Sequence, residues 1–313
     1  MTSNANALGE PIRLGFPFWA PNFFSYLAQE KGFFEKKNVG VEIILIQNSV
    51  PILNKYANGD LDGIIAVYSD VLYLNSEGVN SKIVYASDFS NTADVIIGKA
   101  NTTLGELKGK KISVEGINSF SHLFVLKALE NVGLGEGDVE FVNLPGQNVA
   151  EGLDKGTIVA GHTYEPYTTQ ALKKGYKILF AAGNFPGIIT NVLAFHPNVV
   201  EERPQDIQAI IKSIIEAQKY YENNKEESLK IMSNKTGIGE QEIKSGLDGV
   251  TLPSLKDNVV NVMNSKSNET VSLFSSGKYI SEFFLDRGQI SENPDLIQIL
   301  DPEFVNALYG GQK

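Results

Sequence analysis

The sequence predicts an α/β protein of two Rossmann-like lobes joined by two crossing hinge strands. Three observations carry that prediction. Strand and helix patterns alternate from residue 12 to residue 182. The second half of the alternation repeats the first. The length, 313 residues, exceeds what a single hydrophobic core usually fills.

The first half opens with "IRLGF" (12–16), a strand. Asn22 is placed to cap a helix whose apolar positions Phe23, Tyr26 and Leu27 follow helical spacing, and Gly32 ends it. "VEIILIQ" (41–47) is a continuous apolar run, the mark of a buried strand. A helix follows from Ser49, with Pro51 in its first turn and Gly59 at its end. "LDGIIAV" (61–67) is a third strand, Ser69 is placed to cap the next helix, and "SKIVYAS" (81–87) is a fourth strand.

The order then recurs. Strands are read at 110–116, 139–144, 157–163 and 176–182, and helices at 118–133, 148–156 and 165–175. Residues 57–69 align in pattern with 154–166: a helix end, a glycine, an apolar strand, then a polar turn into a helix. "TADVIIGK" (92–99) and "TNVLAFHP" (190–197) flank the second half and fit the crossing strands. From Arg203 onward the chain reads as helical, with Ile207, Ile210, Ile211, Ile214 and Ile215 on one side, and this tail is expected to return to the first lobe. The expected division is residues 10–92 plus 197–313 for lobe 1, 93–196 for an inserted lobe 2, and 1–9 as a flexible leader.

Composition narrows the function. The formal net charge of -10 argues against nucleic acid, whose binders carry basic faces. There are no cysteines, so disulfides, zinc–thiolate sites and cysteine nucleophiles are all excluded. The three histidines, His122, His162 and His196, lack metal-ligand spacing. No nucleophile elbow or P-loop motif occurs, and nothing in the order of residues pairs a nucleophile with a base. Neither a cofactor nor a metal is expected.

In open α/β sheets, ligands bind beyond the carboxyl ends of the strands. Those turns carry Phe18, Trp19 and Asn22, then Asn48 and Ser49, then Tyr68 and Ser69, then Asp88. The second half adds Glu115, Asn118, Ser119, His122, Tyr164, Glu165 and Asn191. No lysine or arginine occurs among them, although strong anions are usually met by arginine. The expected ligand is therefore a neutral or cationic small molecule, held against an aromatic wall of Trp19, Tyr68 and Tyr164. The same residues also fit plain structural roles. Trp19 and both tyrosines suit packing, Glu165 and the Asn and Ser residues suit caps, Asp88 suits a turn at the hinge, and His122 suits core or surface.

The runs "GFPFWAPNFFSYLAQEKGFFEKKNVGVEIILIQ", "ANGDLDGIIAV", "LKGKKISVEGINSFSHLFVLKALENVGL" and "GHTYEPY" resemble the extracytoplasmic solute-binding proteins of ABC transporters. The similarity is to their nitrate/sulfonate/taurine and thiamine-pyrimidine-precursor group, over roughly residues 10 to 300. It implies a type II periplasmic-binding-protein fold that closes on its ligand, an extracytoplasmic location, a membrane permease as partner, and a monomer without enzymatic activity. "WAPN" (19–22) is similar to the start of the pyrimidine-precursor binders, which makes Trp19 and Asn22 ring contacts and Glu165 the partner of an amine or ring nitrogen. Val159 departs from the family pattern, which has aspartate before the "EP" turn; the first half keeps Asp62. The alternatives are a sulfonate, taurine or nitrate carrier, a ligand-sensing domain of a receptor and, on the same scaffold, a pyrimidine biosynthetic enzyme, whose fungal relatives rely on a cysteine-rich segment missing here.

Overall fold

A computed structural model describes residues 9–47 and 49–311. The first half builds β1 (Ile12–Pro17), α1 (Phe24–Glu30), β2 (Val41–Ile46), α2 (Ser49–Ala57), β3 (Gly63–Val67), α3 (Tyr68–Ser76) and β4 (Lys82–Ser90). The second builds β5 (Asp94–Gly98), β6 (Lys111–Val114), α4 (Phe120–Glu130), β7 (Glu140–Asn143), α5 (Val149–Lys155), β8 (Ala160–Tyr164), α6 (Tyr167–Lys173) and β9 (Lys177–Ala181). Each predicted strand forms within a few residues of its expected span. Their apolar runs are long enough to be buried on both faces, as in Ile64–Ala66 and Ile83–Ala86.

Two sheets result, ordered β2-β1-β3-β10-β4-β11 and β7-β6-β8-β5-β9, where β10 is Thr190–Phe195 and β11 is Val250–Thr251. The two orders are the same pattern. Three parallel strands carry an antiparallel fourth: β10 beside β3, and β5 beside β8. Val67 pairs with Asn191 in one sheet and Tyr164 with Asp94 in the other, which is the register that the 57–69 and 154–166 alignment requires. The sheets are therefore mixed, because each antiparallel strand comes from a crossing segment. β10, although it lies within 93–196, is hydrogen-bonded in the first sheet.

The crossings lie between β4 and β5 and between β9 and β10. They clasp each other through Ser90 N to Ile189 O at 2.9 Å and Gly183 N to Asn91 O at 2.7 Å. The carbonyl of Gly249 accepts from the backbone N–H groups of Asn91, Thr92 and Ala93 at 3.0, 2.8 and 2.9 Å. A Cβ at Gly249 would sit 2.9 Å from the nitrogen of Ala93, so this close approach needs glycine.

The helical tail packs largely on the first lobe. It contains α7 (Pro197–Glu202), α8 (Pro204–Asn223), α9 (Lys225–Thr236) and α10 (Glu240–Asp248). In α8, Ile207, Ile210, Ile211 and Ile214 are buried, and Tyr221 meets Phe24 of α1 edge-on at 5.7 Å. One later helix, Leu273–Asp286, behaves differently. It touches α3 through Tyr73 and Phe284, at 6.0 Å, and α4 through Lys127 over the Tyr279 ring at 4.3 Å. It is a third link between the lobes.

Candidate functional site

The carboxyl ends of β1, β3, β6 and β8 lie at one edge of their sheets. The antiparallel strands β5 and β10 bring their first residues, Asp94 and Asn191, to the same edges. The site therefore draws on the ends of some strands and the beginnings of others.

On the first lobe the centre is Asp88, which is fully buried. Its Oδ1 accepts from Trp19 Nε1 and from Asn191 Nδ2, both at 2.9 Å, and its Oδ2 accepts from Ser87 Oγ at 2.8 Å. Burial pushes the Asp88 carboxyl up to about 6; the three hydrogen bonds pull it down, and the charge of Asp94 adds to the rise. Trp19 is half-buried, so one edge of the indole is fixed by Asp88 while part of the ring stays accessible. Phe18 beside it is also half-buried and meets Phe23 edge-on at 6.3 Å.

On the second lobe a buried chain runs from Ser121 Oγ to His162 Nδ1 at 2.8 Å, and from His162 Nε2 to Asp94 Oδ1 at 3.1 Å. These residues are far apart in sequence, so no motif announced them. The order Ser–His–Asp is that of a hydrolase triad. Here Ser121 and His162 have no exposure, and Ser121 Oγ also accepts the Glu115 N–H at 3.0 Å. The chain therefore fixes Asp94 and does not present a nucleophile. Asp94 Oδ2 is buried and has no hydrogen-bond partner.

Tyr164 is half-buried next to this chain. Burial raises its hydroxyl pKa, and Glu115, Tyr167 and Asp94 add to the rise through their charges. A Cβ on Gly146 would lie 2.6 Å from the Tyr164 ring and 3.4 Å from Glu115 Oε1, so Gly146 makes room for both. On the first lobe, Asp70 in the first turn of α3 is half-buried. Burial pushes its carboxyl up to about 7, and the charge of Glu115 contributes. Sequence reasoning missed Asp70 and Asp94. Asp94 begins a crossing strand, as Asn191 does within one residue; the aligned register with Asn191 is the signal that could have found it.

Other expected contacts take different roles. Asn22 does not cap α1: it lies in a 3-10 turn (Ala20–Phe23), is 1% exposed, and donates to the Pro17 carbonyl at 3.2 Å. Tyr68 is not part of an aromatic wall. It is buried and its hydroxyl donates to the Leu273 carbonyl at 2.9 Å, because the helix Leu273–Asp286 covers it. Ser69 is buried within α3, whose cap position is Val67. His122 is fully buried between Phe141 and Phe283, with ring centroids at 4.4 and 5.8 Å, and burial lowers it to about 4. Its Nδ1 accepts the N–H of Asn118, a left-handed residue at φ 67°.

Ser119 holds the cap position of α4, yet its hydroxyl donates to Gly116 O at 2.7 Å. Ser49 is the half-buried first residue of α2, and Asn48 lies outside the described residues. Asn191 is 4% exposed and serves Asp88. Glu165 accepts from Thr169 N at 3.3 Å and Thr169 Oγ1 at 3.0 Å, which is a first-turn role in α6. Among the described residues no three His, Asp or Glu side chains converge as a metal site. Two cavities of about 320 and 260 Å³ lie beside α8, sharing Ile215, Lys219 and Leu255, and neither is lined by the strand-end residues.

The signature of the NMT1-like family covers residues 6–233. The chain belongs to the NMT1-like family. Its relatives include the taurine-binding periplasmic protein of Escherichia coli, 26% identical over 175 residues, 53% of this chain and 54% of that one. The chain thus spans about half the length of that relative. A Haemophilus influenzae protein named for thiamine biosynthesis is 35% identical over 123 residues, 38% of each chain. In structure, this NMT1-like chain is similar to the periplasmic aliphatic sulphonate binding protein of Escherichia coli. The TM-score is 0.77 at 19% identity, covering 93% of this chain and 97% of that one. The fold is accordingly the two-lobed type II periplasmic-binding-protein fold, as the sequence predicts.

Proposed function

We propose that this chain is the solute-binding component of an ABC importer, working outside the cytoplasmic membrane. It captures a small neutral or cationic organic solute between its lobes, closes on it, and delivers it to a membrane permease without chemical change. Family membership and the binding proteins among its relatives support the transport role. Among the described residues no helix is long and apolar enough to cross a membrane, so the membrane-spanning work falls to the partner.

The observation that carries the ligand reading is electrostatic. The strand-end turns present Asp70, Asp88, Asp94, Glu115 and Glu165, and no lysine or arginine. Buried carboxylates without a basic partner disfavour a further negative charge and favour a positive one. Flat nitrogen compounds such as aminopyrimidines fit this set, with Trp19 and Tyr164 as the aromatic surfaces. A second reading, an alkanesulfonate or taurine carrier, is favoured by the relatives' names and by helix N-termini such as that of α4 at the same edge.

A thermal-shift panel of aminopyrimidines, organic amines, taurine and alkanesulfonates separates the two. Binding to the native state alone at 100-fold excess over Kd stabilises by ~2.7 kcal/mol, a readable shift. Stabilisation by nitrogen compounds supports the proposal, and stabilisation by alkanesulfonates alone overturns its ligand reading. Within it, Trp19→Phe keeps a ring but removes the Asp88 donor, whereas Trp19→Ala removes both. Affinity should fall at least tenfold for alanine and less for phenylalanine.

A further inference from the structure

We propose that the groove beside α8 is a second small-molecule site, which takes a single-ring carboxylate with its ring on apolar side chains and its oxygens toward Tyr85, Gln218 and Lys219. None of the strand-end residues lines it, so it stands or falls apart from the transport reading.

The groove follows from the pattern of α8. Its buried stripe is Ile207, Ile210, Ile211 and Ile214. Ile215 lies beside that stripe, is only half-buried, and lines both cavities together with Lys219 and Leu255. The smaller cavity, of about 260 Å³, also draws on residues 252–256, on Tyr85 of β4, and on Tyr309 of the last helix, Glu303–Gly310. That volume is below the usual range for drug-sized ligands and suits one ring with a polar head. Ile215, Leu252, Pro253 and Leu255 give it an apolar wall, each buried or half-buried.

The independent sign of a ligand is Tyr85. It has no exposure, and among the described residues its hydroxyl has no hydrogen-bond partner. Buried tyrosine hydroxyls ordinarily find one. Of the buried polar side chains left without a partner, Tyr85 alone lines either cavity. Gln218 lines the same cavity, is half-buried, and stands beside that hydroxyl without completing a hydrogen bond to it. A ligand oxygen between the two would accept from the Tyr85 O–H and from the Gln218 amide.

Charge selects the head group. The chain carries a net charge of -10, yet Lys37, Lys212, Lys219 and Lys256 line the groove against only Glu216 and Glu222. Glu216 is already paired with Lys37, and Glu222 is exposed, where solvent and salt screen it. The surplus of cations favours a carboxylate, whose hydrogen bonds to charged donors are the stronger kind.

The test uses benzoate, benzyl alcohol and benzylamine, which share a ring and differ in the head group. Calorimetry should give benzoate a Kd of ~1 mM or below, ordinary for a ligand of one ring. Tyr85→Phe should weaken benzoate about tenfold and leave the melting temperature level or slightly raised, since the hydroxyl removed is unsatisfied in the empty chain. Lys219→Gln should weaken benzoate about threefold, as for an exposed charge, and leave benzyl alcohol unchanged. Trp19→Ala should leave benzoate unchanged, and in that background benzylamine should bind weakest. A crystal soaked with benzoate should show a carboxylate oxygen within hydrogen-bond reach of Tyr85 Oη. Benzoate binding that ignores Tyr85→Phe, or that is lost in Trp19→Ala, overturns the site and leaves the cleft reading standing. Absence of benzoate binding does the same, as does a soaked crystal with only a water between Tyr85 and Gln218. Tightest binding by benzylamine in the Trp19→Ala background overturns the ligand class. If Tyr85→Phe does not fold, Lys219→Gln and the soaked crystal decide.

Discussion

The two lobes are built on one pattern, yet they treat equivalent positions differently. Asn191 and Asp94 occupy the same register, opposite Val67 and Tyr164. In the first lobe that position is an amide whose donor goes to Asp88, and the group is satisfied inside the lobe. In the second it is a carboxylate with one oxygen bound to His162 and the other open. At the opposite end of the sheets, Arg13 grips Asp62 with 2.7 and 3.1 Å hydrogen bonds. The matching pair, Lys111 and Val159, share only a backbone bond from Val159 N to Lys111 O, and Lys111 turns to Glu140 at 3.2 Å. The difference teaches that the first lobe closes its polar network on itself, whereas the second leaves part of its network for something outside the chain.

The largest expected effect breaks that contrast at its centre. Asp88→Ala strips the acceptor from Trp19, Asn191 and Ser87, and stranded buried donors cost ~1–3 kcal/mol each at most. A loss of about 2–4 kcal/mol in chemical denaturation is expected. Asp94→Ala strands only the His162 ring N–H and should cost about 1–2 kcal/mol. Equal losses would remove the distinction between a closed and an open network.

Gly146→Ala sharpens the contrast from the ligand side. The new methyl must push Tyr164 or Glu115, so affinity for the true ligand should drop about tenfold, or ~1.4 kcal/mol. Melting temperature should change little, since both displaced groups are half-buried at the cleft.

The pH dependence of stability carries opposing contributions. Asp70 and Asp88 have raised folded-state values, so each adds stability at low pH that is lost as pH rises from about 4 through 6 to 7. His122 is depressed to about 4, so it adds stability as pH rises through 4 to 6.5. With His122→Asn, the melting temperature should fall more steeply with rising pH between 4 and 6.5 than in the parent. A slope unchanged by the substitution would show that His122 charges as freely folded as unfolded.

The smallest effect makes lobe 1 copy lobe 2. Asp62→Val replaces a partly exposed ion pair by the valine found at 159, and such pairs contribute ~0–1 kcal/mol. A shift of a few degrees or less is expected, about 2–4 °C per kcal/mol for domains somewhat smaller than this. A larger loss would make Arg13 a keystone of the first sheet.

Much of the fold was legible because apolar runs bounded by glycines declare buried strands. Gly59 and Gly156 end α2 and α5 in the left-handed region, at φ 77° and 67°, as their places in the repeat suggested. The site was legible only as an edge. Trp19 and Tyr164 stay partly exposed there, and the buried Asp88 accepts the Trp19 N–H. What failed were residues whose environment is set by distant chain. Tyr68 and Tyr164 look alike in local pattern, but the helix Leu273–Asp286 folds over the first and not over the second. His122 is buried by Phe283 from that same helix. No local spacing records where a tail will land.

That helix also bears on how such a body can move. Strand crossings flex by small changes in backbone angle, whereas a fourteen-residue helix resists bending. Arg287 just past its end pairs with Glu136, Gln289 donates to Asn118 O at 3.2 Å, and Tyr279 lies under Lys127. Parting the lobes along this flank would tear those contacts, while swivelling about the helix's own long axis would keep them. The chain is thus jointed more like a door on a pin than like a pair of tongs.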